Sequence, residues 1–217
     1  PAFTFPVAPE FTNWRDEQRA WNSTVALMDQ SHHMTQLFLW GDDLIPMLER
    51  ISPNTFATFR PGVAKQLISV NQDGYLIGDG ILFYNSDGPE GVVLIGHHVL
   101  IDWVRFTVER AQAAGEDVHH RLEANSHMRQ GPPTFYRYEL QGPHANEVME
   151  KVFSGPAPDI KFFHIGEVEI AGRPVKALRH GMAGQPGFEF YGPWEDNAVV
   201  LDALMAAGAE FGIRRVG

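Results

Sequence analysis

The 217-residue chain contains no cysteine. Disulfides, thiolate metal sites and thiol nucleophiles are excluded together, and a cytoplasmic location is expected. Positive charge is also scarce: 17 Lys and Arg face 27 Asp and Glu, for a formal net charge of −10. That balance speaks against a nucleic-acid partner, which favours a basic face, and against a polybasic membrane surface. No apolar run reaches the roughly 18 residues that a membrane span needs, and no secretory leader is visible. Neither an HExxH nor an HxH metal-binding pattern occurs. What is present is ordinary for a globular protein, with 44% hydrophobic and 20% charged residues. The length suits one large domain or two small ones. The chain opens at Pro1 without Met and closes on Arg214-Arg215-Val216-Gly217, just after a helix and a short apolar step, which reads as a fragment of a longer protein.

The first residues are rich in Phe and Pro (Phe3, Phe5, Pro6, Pro9) and read as an extended arm. Asn13 is a helix N-cap candidate, followed by Asp16 and Glu17 at the positive end of the dipole. Trp14, Gln18 and Trp21 share one face, and the spacing predicts that this helix or its successor runs to about Leu27. A strand is expected over Met34–Trp40 and a helix over Leu44–Ile51. Lys65–Asn71 and Tyr75–Tyr84, joined by Asp73-Gly74, read as a hairpin. Val92–Ile95 is a short buried strand. Val99–Ala114 is the clearest helix, with Leu100, Val104, Val108 and Ala111 on one stripe and Gly115 at its end. The last helix is expected over Asp196–Ala207.

An internal echo divides the chain. Leu39-Trp40-Gly41-Asp42-Asp43 leads into a helix ending Leu48-Glu49-Arg50-Ile51, and Leu140-Gln141-Gly142-Pro143-His144 into one ending Met149-Glu150-Lys151-Val152. A strand–turn–strand pattern follows each, the second turning at Ala171-Gly172. Hairpins with helices between them favour an α+β fold, with mixed or antiparallel sheets and two related strand–helix–strand–strand units. The expected organisation is an arm and first helix over 1–30, then one region over 31–217 in two pseudo-repeated halves, about 34–130 and 131–217.

Chemistry-bearing side chains collect at Asp29-Gln30-Ser31-His32-His33-Met34, a polar boundary between a helix signal and a strand signal. Taken alone it suits a metal site, an acid–base pair or a helix cap. Glu189, between Phe188 and Phe190, reads as a carboxylate alternating out of a strand, and Asp79 as a turn or bulge aspartate between two glycines. The pairs His32-His33, His97-His98 and His119-His120 invite a zinc reading. Adjacent histidines on a strand point to opposite faces, however, so no metal is expected.

The string Leu27-Met28-Asp29-Gln30-Ser31-His32-His33-Met34 resembles the aminomethyltransferase family of folate-dependent proteins, which includes the glycine-cleavage T-protein. Gly41-Asp42-Asp43, Pro61-Gly62, Asp73-Gly74-Tyr75-Leu76-Ile77-Gly78-Asp79-Gly80, Leu140-Gln141-Gly142-Pro143 and Gly187-Phe188-Glu189-Phe190 follow in the family's order. With Asp29-Gln30 and His32-His33-Met34, Gly78-Asp79-Gly80, and Arg179-His180-Gly181-Met182-Ala183-Gly184 as markers, the chain looks closest to a subgroup, the tetrahydrofolate-dependent aryl methyl ether O-demethylases of vanillate or syringate type and their lignan methylenedioxy-opening relatives. The resemblance covers the amino-terminal part of such proteins. It implies a missing carboxy-terminal domain and a tyrosine proton donor beyond Gly217.

The resemblance implies the following roles. Glu189 grips the pterin ring through its aminopyrimidine edge, with Asp79 and Ile81 also at the cofactor. Gln30, His33, Met34, Phe3, Phe5 and His97 line the aromatic substrate, and His33 and Asp79 are the catalytic candidates. The glycine-rich loop 179–184 lets the backbone approach the cofactor. Four positions depart from the family pattern. Gly78 stands where T-proteins carry a first acid, Phe3 and Phe5 where the subgroup carries tyrosines, and His97 where vanillate-type enzymes carry an arginine. The implied activity is transfer of a methyl or methylene group from an aromatic ether to tetrahydrofolate. The alternatives are a non-catalytic folate-binding module, a glycine-cleavage aminomethyltransferase and a sulfonium-compound demethylase.

Overall fold

The computed structural model describes residues 5–181 and 184–217, so Phe3, Met182 and Ala183 lie outside the described residues. The chain forms two compact units, one of residues 1–33 and 130–217, the other of residues 34–129. The fold is α+β, as the sequence pattern implies.

The first unit holds α1 (Trp14–Ser23), β1 (Val25–Asp29), β7 (Phe135–Gln141), α4 (Ala145–Phe153), β8 (Ile165–Ile170), β9 (Arg173–Arg179), β10 (Gly187–Pro193), α5 (Asn197–Gly208) and β11 (Ile213–Val216). Its six strands run in the order β11-β1-β7-β10-β9-β8, antiparallel except for the parallel β1–β11 pair. Asn13 caps α1, its Oδ1 accepting from the Arg15 N–H at 3.1 Å. The expected continuation of this helix to Leu27 is incorrect. α1 stops at Ser23, and Val25–Asp29 is a strand held between β7 and β11. Val25, Ala26, Leu27 and Met28 are all buried, so both faces are apolar and the run carries no alternation to separate strand from helix.

The second unit holds β2 (Thr35–Trp40), α2 (Leu44–Arg50), β3 (Val63–Val70), β4 (Leu76–Tyr84), β5 (Val92–Gly96), α3 (His98–Ala113) and β6 (His119–Glu123). Its antiparallel sheet has the order β3-β4-β5-β2-β6. Leu100, Val104 and Val108 of α3 are fully buried against Leu37, Leu39, Leu82 and Leu94. Each such side chain contributes roughly 1.5–3 kcal/mol.

The echo in sequence has a structural counterpart. β2-α2-β3-β4-β5-α3 and β7-α4-β8-β9-β10-α5 are the same succession, with the same strand neighbours. The strand preceding each block pairs with the other block: β1 adds to β7, and β6 adds to β2. Gly41 and Gly142 occupy matching positions at φ +122° and φ +142°. A Cβ there would lie 2.1 Å from the Asp117 carbonyl oxygen or 2.5 Å from that of Thr24, so each glycine lets a turn press against a neighbouring backbone. No helix among the described residues is long and apolar enough to cross a membrane.

Candidate functional site

In the first unit, β7 and β10 are buried on both faces. Tyr136, Tyr138 and Leu140 of β7, with Phe188 and Phe190 of β10, join the apolar cluster with α4 and α5. Alternation sends Arg137, Glu139, Gln141, Glu189 and Tyr191 to the opposite face. None of these five exceeds 7% exposure. Buried groups of this polarity require partners.

The register places Glu189 directly opposite Glu139. Two like charges facing each other across a sheet are destabilising unless each is compensated. Arg137, diagonal to Glu189, donates from Nη1 to Glu189 Oε1 at 2.8 Å, and its guanidinium lies 4.7 Å from the Tyr191 ring centroid. Among the described residues, no hydrogen bond engages Glu189 Oε2. Glu139 Oε1 is paired with His180 Nδ1 at 3.0 Å, and the His180 carbonyl accepts from Gln141 Nε2 at 3.0 Å. Burial raises the Glu139 pKa and the Glu189 charge adds to that, against the pull of the His180 hydrogen bond. His180 is raised in turn by its bond to Glu139, which outweighs its own burial.

The hexad starts on the last residue of β1 and leads to β2, rather than following a helix. It extends the β1–β7 ladder: Gln30 N–H donates to the Arg137 carbonyl at 2.9 Å, and Ser31 Oγ accepts from Arg137 N–H at 2.9 Å. Ser31 is therefore a sheet fastener. His32 is buried, 3.8 Å from Asp29 and edge-on to Trp194 and Phe5. Gln30 and Phe5 are half-buried, and His33 is exposed. The protein beneath the His33 ring lowers its pKa, while the carboxylates of Glu189 and Asp29 pull it upward. Met34, half-buried, begins the second unit.

The second unit carries Asp79, Ile81 and His97. Asp79 and Ile81 alternate on β4 with Gly78, Gly80 and Leu82, and point away from the face covered by α3. Asp79 is exposed, its Oδ2 accepting from Gln66 Nε2 at 2.9 Å, and Ile81 is half-buried. A Cβ at Gly80 would lie 2.8 Å from Leu100 Cδ2, and one at Gly78 3.1 Å from Leu100 Cβ. Those glycines admit the start of α3, and an acid at position 78 would point into Leu100. His97 is exposed and caps α3, its Nδ1 accepting from Val99 N–H at 3.5 Å. Of the three histidine pairs, only His119-His120 lies on a strand: His32-His33 is in a loop, and His97-His98 opens α3. Among the described residues, no three His, Asp or Glu side chains form a metal-holding group.

Sequence reasoning passed over Arg137, Glu139 and His180. The only signal for Glu139 and Arg137 is the charge pair in Phe135-Tyr136-Arg137-Tyr138-Glu139-Leu140-Gln141, inside a strand whose other positions are aromatic or apolar apart from Gln141.

Two solved structures share this architecture. Over 93% of this chain and 50% of its own, the glycine cleavage system aminomethyltransferase T of Bartonella henselae superimposes with a TM-score of 0.67 at 20% identity. A chain of the heterotetrameric sarcosine oxidase of Corynebacterium sp. U-96, solved in complex with pyrrole 2-carboxylate, does so with a TM-score of 0.56 at 14% identity, over 94% of this chain and 95% of its own. At those identities the likeness establishes the fold alone. In sequence, the GCVT N-terminal domain family matches residues 2–217, and the chain belongs to it. A syringate O-demethylase of Sphingobium sp. is 42% identical over 214 residues, 98% of this chain and 46% of that protein. An aminomethyltransferase of Exiguobacterium sibiricum is 27% identical over 94% of this chain and 53% of its own. The chain thus spans about half the length of the curated relatives it matches.

Proposed function

We propose that the protein, with the carboxy-terminal half that its relatives carry, is a tetrahydrofolate-dependent transferase that moves a methyl or methylene group from an aromatic ether to the folate. The observation that carries this reading is the 42% identity to a syringate O-demethylase along almost the whole chain, against 27% to an aminomethyltransferase. Glu189 fits the cofactor. It is a buried carboxylate with Oε1 fixed by Arg137 and Oε2 unengaged among the described residues, and such a group can accept the N–H donors of an aminopyrimidine edge. Bound tetrahydrofolate would supply the N5 nitrogen that takes the one-carbon group.

Within this reading, Asp79 and Ile81 are cofactor contacts. Gln30, His33, Met34, Phe3, Phe5 and His97 are substrate contacts. His33 and Gln30 can hydrogen-bond an ether or phenol oxygen, and a neutral His33, favoured by its lowered pKa, can accept a proton. His97, an imidazole already capping α3, is a weak clamp for a substrate carboxylate beside a guanidinium fork, which favours neutral phenolic ethers over benzoates. A cytoplasmic location belongs to the same proposal. The test is incubation of the full-length protein with tetrahydrofolate and a panel of methoxylated and methylenedioxy aromatics. Release of a phenol is expected. Release from none of them, with turnover of an aminomethyl-lipoyl carrier instead, would replace this reading by that of an aminomethyltransferase.

A further inference from the structure

Glu139 and His180 have no role in the reading above, yet they are built as an oriented donor. The 3.0 Å bond from His180 Nδ1 to Glu139 Oε1 decides which imidazole nitrogen faces the carboxylate and turns Nε2 away from it. Gln141 holds the His180 backbone, and the Phe163 ring lies 5.6 Å from the imidazole. The His180 side chain is 13% exposed and borders a groove of about 390 Å³ with Phe162, Arg179, Gly181, Gln185 and Pro186. Among the described residues, nothing hydrogen-bonds His180 Nε2.

The charged groups facing His180 are Glu139 on β7 and Glu189 on β10. Arg137 is engaged with Glu189, and the Arg179 guanidinium lies over Phe188, on the helix-covered face. Two carboxylates thus meet one guanidinium, and a proton on His180 balances the cluster. The raised pKa of His180 agrees with that count.

An aminopyrimidinone edge presents two donors, the 2-amino group and N3–H, and then an acceptor, the 4-oxo group. A carboxylate such as Glu189 matches the donors and repels the carbonyl. A site holding only Glu189 and Glu139 would leave that carbonyl against negative charge. A donor carried on Glu139, one strand away from Glu189, meets the need. We propose that His180, oriented by Glu139, is a ligand-contacting residue whose Nε2–H hydrogen-bonds the ring carbonyl beside the edge held by Glu189. This rests on the reading that Glu189 binds tetrahydrofolate.

The test is calorimetric titration of the full-length protein with tetrahydrofolate from about pH 6 to about pH 9. Binding weakens on the alkaline side, about tenfold for each unit by which the ligand raises the His180 pKa. H180Q keeps a neutral donor and loses this slope, and E139Q moves the slope to lower pH. An unchanged slope in H180Q overturns the proposal. An NMR titration of the His180 ring in the wild-type protein removes any dependence on the variants folding. Its pKa rises on saturation with tetrahydrofolate, and an unchanged value overturns the proposal. If E189Q weakens binding while His180 titrates identically with and without ligand, only the His180 role fails. If E189Q binds as the wild type does, the reading beneath it fails and takes the His180 role with it.

Discussion

Replacing Arg137 by methionine removes the cation from Glu189 while keeping a side chain of similar reach. The pair is buried, with 3% and 9% of its side-chain surfaces exposed, and the remaining carboxylate would face Glu139 across the sheet with no guanidinium between them. Stripping one partner from a buried ion pair costs about 3–5 kcal/mol. The lost stack over Tyr191 adds about 1 kcal/mol. Burial of the methionine side chain offsets about 1 kcal/mol. The expected net loss is therefore about 4 kcal/mol. The assay is urea unfolding at neutral pH of the full-length wild type, R137M, E189Q and the double variant. R137M/E189Q should be more stable than R137M, because the second change removes the stranded charge. A loss below about 1 kcal/mol in R137M, or simple addition in the double variant, would refute the account of this face as a compensated charge cluster.

Four further outcomes are expected. Glu189→Gln weakens tetrahydrofolate binding by roughly 1–3 kcal/mol in calorimetry, and unchanged affinity removes Glu189 from the site. Gly142→Ala, at φ +142° with its Cβ driven to 2.5 Å from the Thr24 carbonyl oxygen, lowers the melting temperature far more than Gly115→Ala, where φ is also positive but nothing lies within 4 Å. The control costs about 1–2 kcal/mol, and equal losses would contradict the close-approach argument. Burial alone would raise the Glu17 pKa, but hydrogen bonds from Phe11, Thr12 and Gly217 hold it below the ordinary carboxylate value. Its stabilising contribution is thus complete above about pH 4.5 and drains away as the pH falls through the depressed folded value. The melting-temperature gap between wild type and Glu17→Gln should narrow in acid, and a constant gap contradicts this. Tyr136→Phe removes a buried hydroxyl with no hydrogen-bond partner among the described residues. Unfolding measurements should find it neutral or stabilising by up to about 1 kcal/mol.

The elements legible in the sequence are those whose apolar period or turn chemistry is local. The α3 stripe, the hairpin closing at Ala171-Gly172 and the paired turn glycines Gly41 and Gly142 all have that character. β1 does not. Its four consecutive buried residues have no period, and its strand character comes from β7 and β11, more than a hundred residues along the chain. The same non-locality hides the charge cluster. Arg137, Glu139, His180 and Glu189 become neighbours only through the register of β7, β10 and β9. Glu189 stands out in sequence through family resemblance, whereas His180 is visible only as part of a glycine-rich string and carries no role of its own there. Ser31 was legible as polar but not as a fastener, because its partner, the Arg137 N–H, is set by pairing and not by spacing.

The central claim is one-carbon transfer from an aryl ether to tetrahydrofolate. The most direct measurement uses a methoxylated phenol labelled with ¹³C in its methyl group, incubated with the full-length protein and tetrahydrofolate and followed by NMR. The account predicts that the label leaves the ether and appears on the folate N5 as the phenol accumulates, and that E189Q slows its arrival. Label that stays on the ether across the whole panel of methoxylated substrates, or that appears as free methanol or formaldehyde with the folate unlabelled, would contradict it.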